Sequence, residues 1–265
     1  MLGFQIFKHS IIQVLGNWQN ALRISGALWL IVAVILPMII RMLLTGSPIL
    51  DAETVLDGFG NGGGSVFFAI FISIILSWVA VSWIAVAWHR YVLKNEMELS
   101  VLYIPKTSGG AIAGYMWKGI VLGFVLFLIM IPIGIIFSGI GMLVNVEMLG
   151  AAAAFIPIFL GIVVTILMLR FSLILPARAL NLPIGVGESW GFTSEIRSAL
   201  WVTSIMLVVT NGFLNFILTS VLLGTVVSAT ILVVFSTVVN WMTMMIGVSI
   251  LTTLYGICVE NRELV

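Results

Sequence analysis

Charged residues are scarce in this chain. Of its 265 residues, 8% are charged and 62% are hydrophobic, whereas an average soluble domain carries about 25% charged residues. The 11 Lys and Arg residues and the 10 Asp and Glu residues are too few to cover a water-exposed surface of this size. Disordered chains are poor in apolar residues, so disorder is excluded as well. The composition predicts an integral membrane protein.

Cysteine and histidine are also scarce, which restricts the chemistry. Cys258 is the single cysteine, so no internal disulfide can form, and one Cys with two His residues does not make an ordinary zinc site. The net charge of +1 provides no basic surface for nucleic acid. The sequence shows no paired carboxylates, no Ser-His-Asp set and no phosphate-binding glycine loop. We therefore predict a protein that is not an enzyme and has no cofactor or metal site.

Six long apolar stretches dominate the sequence. A helix that crosses the hydrocarbon core needs about 20 such residues. The predicted spans cover residues 24–40, 66–88, 119–144, 151–169, 199–222 and 229–254. Short outer connections join them in pairs, which predicts three hairpins. The predicted fold is an all-α polytopic helical bundle, with one six-span membrane domain over residues 23–265.

The first 22 residues have a different pattern, in which apolar residues recur at helical spacing and polar residues lie between them. The apolar positions are Phe4, Phe7, Ile11, Val14, Leu15, Trp18 and Leu22. This pattern predicts an amphipathic helix over residues 1–22 in the membrane interface. We expect Phe4, Phe7, Ile11, Leu15 and Trp18 to insert between acyl chains.

Ten of the eleven basic residues fall on one side of this topology. They are Lys8, Arg23, Arg90, Lys94, Lys106, Lys118, Arg170, Arg178, Arg197 and Arg262, and Arg41 alone lies on the other side. Basic residues are retained on the cytoplasmic side during insertion. Both termini are therefore predicted to be cytoplasmic.

The same basic residues predict contact with anionic phospholipids, because each Lys or Arg near the surface adds about 1 kcal/mol of attraction. Arg23, Lys118 and Arg197 each lie at the start of an outgoing span, one in each hairpin. We expect these three side chains to lie nearest to the lipid phosphates. The alternative is that the charges only set the topology during insertion and are then solvated.

Ionisable residues inside a span are the usual sign of transport or proton relay, and no such residue lies well inside a predicted span. The polar residues there are neutral: Asn211 and Asn215 share a face of span five, and Asn240 lies in the middle of span six. This polar seam predicts either interhelical hydrogen bonds or a path for a solute or ion. His89, at the end of span two, is interpreted as an interfacial anchor, with haem ligation as the alternative.

Small residues indicate where helices approach closely. Gly110 and Gly114, and then Gly119 and Gly123, form two G-x-x-x-G motifs around the start of span three. Such motifs allow close contact between helix backbones. They predict packing within this chain or against another membrane protein.

Two stretches carry a family resemblance. They are Val86–Glu96, which reads VAWHRYVLKNE, and Leu169–Ser198, which contains the run from Pro176 to Leu180. The chain resembles a loose group of uncharacterised bacterial six-span inner-membrane proteins, akin to the membrane domain attached to some glycerophosphodiester phosphodiesterases. The sequence has no room for the phosphodiesterase catalytic domain, so the resemblance implies no activity. It implies a helical bundle in a bacterial inner membrane.

These patterns lead to two functional hypotheses. The first is a non-enzymatic accessory, assembly or scaffold subunit that packs against lipids or other membrane proteins in a larger complex. The alternative is a small transporter or channel with a polar path through spans five and six.

Overall fold

The computed structural model describes residues 1–45, 63–143, 146–224 and 229–264. The described residues form ten α-helices and one π-helical turn, and none of them belongs to a β-strand. The helices are α1 (Leu2–Gly16), α2 (Trp18–Leu30), α3 (Leu36–Thr45), α4 (Gly63–Lys94), α5 (Gly109–Leu143), α6 (Val146–Phe171), α7 (Ile174–Ala179), α8 (Val186–Phe192), α9 (Arg197–Gly224) and α10 (Ala229–Cys258), with the π-helical turn (Ile31–Ile35) between α2 and α3.

Six segments of the described chain are long and apolar enough to cross a membrane. They are Trp18–Ile40, Phe67–Lys94, Gly109–Ile136, Phe155–Ala179, Arg197–Ser220 and Ile231–Cys258. The all-α, six-span prediction is confirmed. Most helices extend past the predicted apolar stretches, since α5 already contains Lys118 and α4 continues through Arg90. Hydropathy identifies only the stretch that lies in the hydrocarbon core. The helix itself can extend beyond this stretch, because long basic side chains reach from it to the membrane interface.

The first span contains a π-helical turn next to its proline. The Leu36 N–H bonds to the Ile31 carbonyl, five residues earlier. Pro37 follows directly, and a proline ring clashes with the carbonyl four residues before it in a regular α-helix. A wider turn at this point spaces the backbone so that the helix continues through the proline as α3.

The N-terminal helix is shorter than predicted and packs against the bundle. It ends at Gly16, because Asn17 leaves the helical conformation and its side-chain amide binds the Gln13 carbonyl at 2.9 Å. The side of α1 that includes Ile6 and Phe7 lies against α9 and α10. The expectation that Phe7 enters the acyl chains is therefore wrong, whereas Phe4, Leu15 and Trp18 are exposed. An apolar stripe cannot by itself distinguish a protein neighbour from lipid.

The core lies at one end of the bundle, which we call the basic end and which carries Arg23, Arg90, Lys118, Arg170 and Arg197. The large side chains that are fully buried are mostly there: Ile6, Ile24, Ile84, Trp88, Leu173, Ile174, Leu200, Ile250, Leu254 and Tyr255. At this end the starts of α2, α5 and α9 meet the ends of α4, α6 and α10. The opposite halves of the helices expose most of their apolar side chains.

Candidate functional site

The imidazole of His89 on α4 is fully buried at the basic end. Its Nδ1 lies 2.8 Å from the Thr252 hydroxyl and its Nε2 lies 3.4 Å from the Tyr115 hydroxyl. The Thr252 hydroxyl donates to the Val248 carbonyl at 2.9 Å, so its oxygen accepts from Nδ1–H. Nε2 then accepts from Tyr115, which assigns the tautomer of a neutral histidine. One side chain thereby joins α4, α5 and α10.

This position corrects the interpretation of His89 as an interfacial anchor. Its burial reflects the hydroxyl-bearing residues near the end of span six, where Ser249, Thr252 and Thr253 are all buried. Clustered hydroxyl groups at one end of an apolar helix are the sequence signal for such a polar layer. This signal cannot be interpreted until it is known which helix packs against the hydroxyl groups.

A second set of polar contacts holds α1 against the bundle. The hydroxyls of Ser10 and Thr253 lie 3.1 Å apart, and Ser249 donates to the Gln13 side chain. The backbone carbonyl of Gly3 accepts a hydrogen bond from Thr203 on α9 at 3.1 Å. Polar bonds between helices contribute about 0.6–2 kcal/mol each in membrane proteins. The N-terminal helix is thus a bonded part of the bundle.

A third set joins the first span to its neighbours. The Trp241 indole donates to Ser25 at 2.7 Å, and the Asn20 amide donates to the Tyr91 hydroxyl at 2.8 Å. These bonds connect α2 with α10 and α4. Together the three sets of bonds join α1, α2, α4, α5, α9 and α10.

The three residues predicted to contact lipid phosphates all lie at the basic end, each in different surroundings. Arg23 is exposed on α2. The Lys118 ammonium group donates to the Ile184 carbonyl at 3.2 Å and is half-buried, while Arg197 is exposed and donates through Nε to the Ser194 carbonyl at 3.0 Å. Their placement is compatible with head-group contact at three separate points, which stays a prediction.

The polar seam has hydrogen bonds within each helix. Asn211, Asn215 and Asn240 each donate to the carbonyl four residues earlier, at 2.9, 2.8 and 2.8 Å. Asn215 and Asn240 are exposed on the surface of the chain. Within the described residues these amides therefore do not join spans five and six. Each keeps a second N–H and its carbonyl oxygen available.

The four glycines predicted to mediate packing differ from one another. At Gly114 a methyl group would overlap the Arg178 guanidinium, which crosses this point of α5 and also reaches the Gly110 carbonyl at 3.4 Å. At Gly119 a methyl group would lie 3.6 Å from the Trp78 ring, an ordinary contact. Gly110 and Gly123 face open space. Of these four glycines, Gly114 alone has a close neighbour among the described residues.

A cavity of about 380 Å³ lies at the basic end and is lined by residues that include Ile24, Arg90, Glu98 and Lys106. Arg90 forms an ion pair with Glu96 at 2.7 Å, another residue of the cavity wall. The lining mixes both signs of charge. No group of three or more metal-ligating side chains occurs in the described part of the chain.

Comparisons with known protein families, with curated proteins and with solved structures found no match to this chain. The resemblance to the glycerophosphodiester phosphodiesterase membrane domain therefore stays a prediction. The six apolar helices themselves establish the coarser assignment. The chain is a multi-pass integral membrane protein.

Proposed function

We propose that the chain is a non-enzymatic accessory, assembly or scaffold subunit that packs against another membrane protein. Its basic end would be the rigid, self-contained part, and its opposite half would be the docking part. We also place it in a bacterial inner membrane, with both termini in the cytoplasm and anionic phospholipids at Arg23, Lys118 and Arg197.

The observation that carries this proposal is the exposure of apolar side chains on the half of α4 that lies away from the basic end. Successive residues of an α-helix are rotated by about 100°, so Phe67, Phe71 and Ile74 lie on one side of this half of the helix. Their side chains are 73%, 51% and 61% exposed, whereas Ala69 and Ile72 on the opposite side are half-buried. Close packing is the main source of helix association in lipid, and the exposed side has no such packing among the described residues. A neighbouring helix from another protein would supply that packing.

The exposed asparagines support the same proposal. An amide in hydrocarbon is costly unless its donors and acceptor are satisfied. Asn215 and Asn240 each use one N–H within their own helix. Polar groups on a partner helix would satisfy the remaining donor and acceptor, and would fix the register of the contact.

Native mass spectrometry after mild-detergent extraction from native membranes tests the proposal. We expect a stoichiometric complex with a different membrane protein. Phe71→Ala with Ile74→Ala, on the exposed half of α4, should dissociate it. The matched control is Phe127→Ala with Ile131→Ala, because these residues lie on one exposed side of α5. A lone monomer, or a complex containing only copies of this chain, would contradict the proposal.

One observation favours the transporter or channel alternative. Ile231 and Asn240 are about two and a half turns apart and so lie on opposite sides of α10, yet both are exposed. The side of α10 that carries Asn240 therefore borders open space. If this space is a path for a solute or ion, vesicles that contain the protein should show flux of that solute or ion. Asn240→Ala and Asn215→Ala should abolish the flux. Absence of flux in the unmodified protein across a broad range of solutes and ions would reject the alternative.

A further inference from the structure

Arg170 has an unusual setting for a charged residue at the end of a span. The residue is only 8% exposed, and its guanidinium carbon lies 3.2 Å from the centre of the Trp190 ring. Its Nε donates to the Thr193 hydroxyl at 3.4 Å and Nη2 donates to the Trp190 carbonyl at 3.1 Å. Phe171 stacks on the same indole at 5.0 Å. The guanidinium is therefore held in one orientation by α8 and the turn that follows it.

This positive charge has no carboxylate partner in the described part of the chain. The ion pairs found among the described residues are Arg90 with Glu96 and Arg262 with Glu260. Glu188, the acid on α8, is occupied with the Gly185 amide at 2.7 Å. A guanidinium has five N–H donors, and the contacts above use two of them, so three have no acceptor within the described part of the chain.

A second guanidinium lies beside the same turn. Arg197 binds the carbonyl of Ser194, the residue directly after the Thr193 that holds Arg170. The two arginines therefore contact consecutive residues of the chain. Arg197 is also the first residue of α9, where the unpaired N–H groups of a helix start add partial positive charge. An anion bound beside both guanidinium groups would offset the repulsion between their charges.

We propose that Arg170, Arg197 and the turn between Thr193 and Arg197 form a binding site for a phosphate group. Arginine is suited to this role because its planar guanidinium can donate two parallel hydrogen bonds to phosphate oxygens. The Trp190 ring would hold the Arg170 plane in place while leaving its edge available. The basic end is where lipid head groups are expected, so the phosphate would come from an anionic phospholipid or from solution. This proposal does not depend on the identity of a protein partner.

The test uses the purified full-length protein, freed of lipid in a phosphate-free detergent. One arm titrates phosphatidylglycerol in mixed micelles, with phosphatidylcholine micelles as the reference. The other arm titrates inorganic phosphate, with sodium chloride at the same ionic strength as the reference. Native mass spectrometry and the shift in Tm measure binding in both arms.

We expect binding that weakens about tenfold in Arg197→Gln, because the loss of one charge-assisted hydrogen bond corresponds to at least this factor. Arg170→Lys keeps the charge but loses the paired donors, so it should weaken binding similarly. Lys94→Gln is the matched control, since it removes an exposed positive charge of the basic end from another helix, and should bind normally.

The outcomes separate cleanly. Saturable binding of phosphatidylglycerol alone that depends on Arg197 supports a lipid phosphate, and Arg197-dependent binding of inorganic phosphate supports a soluble source. Arg197 is exposed, so its variant is expected to fold, which a Tm measured without ligand would check. Binding that is equal in Arg197→Gln and Lys94→Gln, or absent in the unmodified protein, would overturn the proposal.

Discussion

The imidazole of His89 and the hydroxyl of Thr252 are hydrogen-bonded at 2.8 Å across the interface between α4 and α10. The contact joins residues 163 positions apart in the sequence, at the point where the returning spans of the first and third hairpins end. Tyr115 adds the start of the second hairpin through the other ring nitrogen. All three predicted hairpins thus meet at a single side chain, which makes the basic end the structural centre of the bundle.

His89→Ala should destabilise the protein by about 2–4 kcal/mol, because it leaves a cavity and removes the hydrogen-bond partner of two buried hydroxyls. Chemical unfolding in detergent micelles, followed by tryptophan fluorescence, measures this change. Lys94→Ala is the control, since Lys94 is exposed near the end of the same helix. Equal free energies of unfolding for the two variants would contradict the central role of His89.

Gly114→Ala should be destabilising, whereas Gly123→Ala should be neutral. The new methyl group at position 114 would overlap the Arg178 guanidinium, and that at position 123 would enter open space. Displacement of Arg178 also breaks its bond to the Gly110 carbonyl. The Tm in detergent should fall for the first variant only. Indistinguishable Tm values would show that the contact of the Arg178 guanidinium with α5 does not stabilise the fold.

Gly3→Val should release α1 from the bundle. Gly3 lies directly against the Ala199 carbonyl, and a methyl group there would also lie 2.8 Å from the Val202 Cβ. Cleavage after Lys8, which is exposed on α1, reports the release, because trypsin requires a locally unfolded chain. We expect cleavage to be about tenfold faster, since loss of close packing and one hydrogen bond amounts to at least 1.4 kcal/mol. Gly16→Ala, at a glycine facing open space, should be cleaved at the unmodified rate.

The topology predicts that both termini label from the same, cytoplasmic side. Single cysteines introduced as Gln5→Cys and Glu263→Cys, in a Cys258→Ser background, replace exposed residues at the two ends of the chain. A membrane-impermeant maleimide should modify both in inside-out vesicles and neither in intact cells. Labelling of either cysteine in intact cells would contradict the orientation predicted from the basic residues.

The number of spans could be predicted from the sequence because hydropathy depends only on local composition. The burial of α1 could not, since an apolar stripe such as that of Ile6 and Phe7 suits lipid and protein equally well. The polar layer was missed for a related reason: His89, Thr252 and Tyr115 lie far apart in sequence. Of the two alternatives for Asn211 and Asn240, the one that assumed bonds between helices overlooked the carbonyl four residues earlier, to which each side chain donates instead.

The G-x-x-x-G motifs show the same limit. Their spacing predicted close contact, but the contact at Gly114 is with a side chain from α7 and not with another helix backbone. A methyl group at Gly110 or Gly123 would have no neighbour within 4 Å among the described residues. A motif identifies a permissive surface, and only the neighbouring element determines what occupies it.

Site-specific photo-crosslinking at Ile74 is the measurement that tests the proposed accessory role most directly. A photoreactive amino acid at this exposed position of α4, illuminated in native membranes, should yield an adduct with one different membrane protein. The same group at Phe127 on α5 should yield predominantly lipid adducts. Lipid adducts alone at Ile74, at the level found for Phe127, would contradict the account.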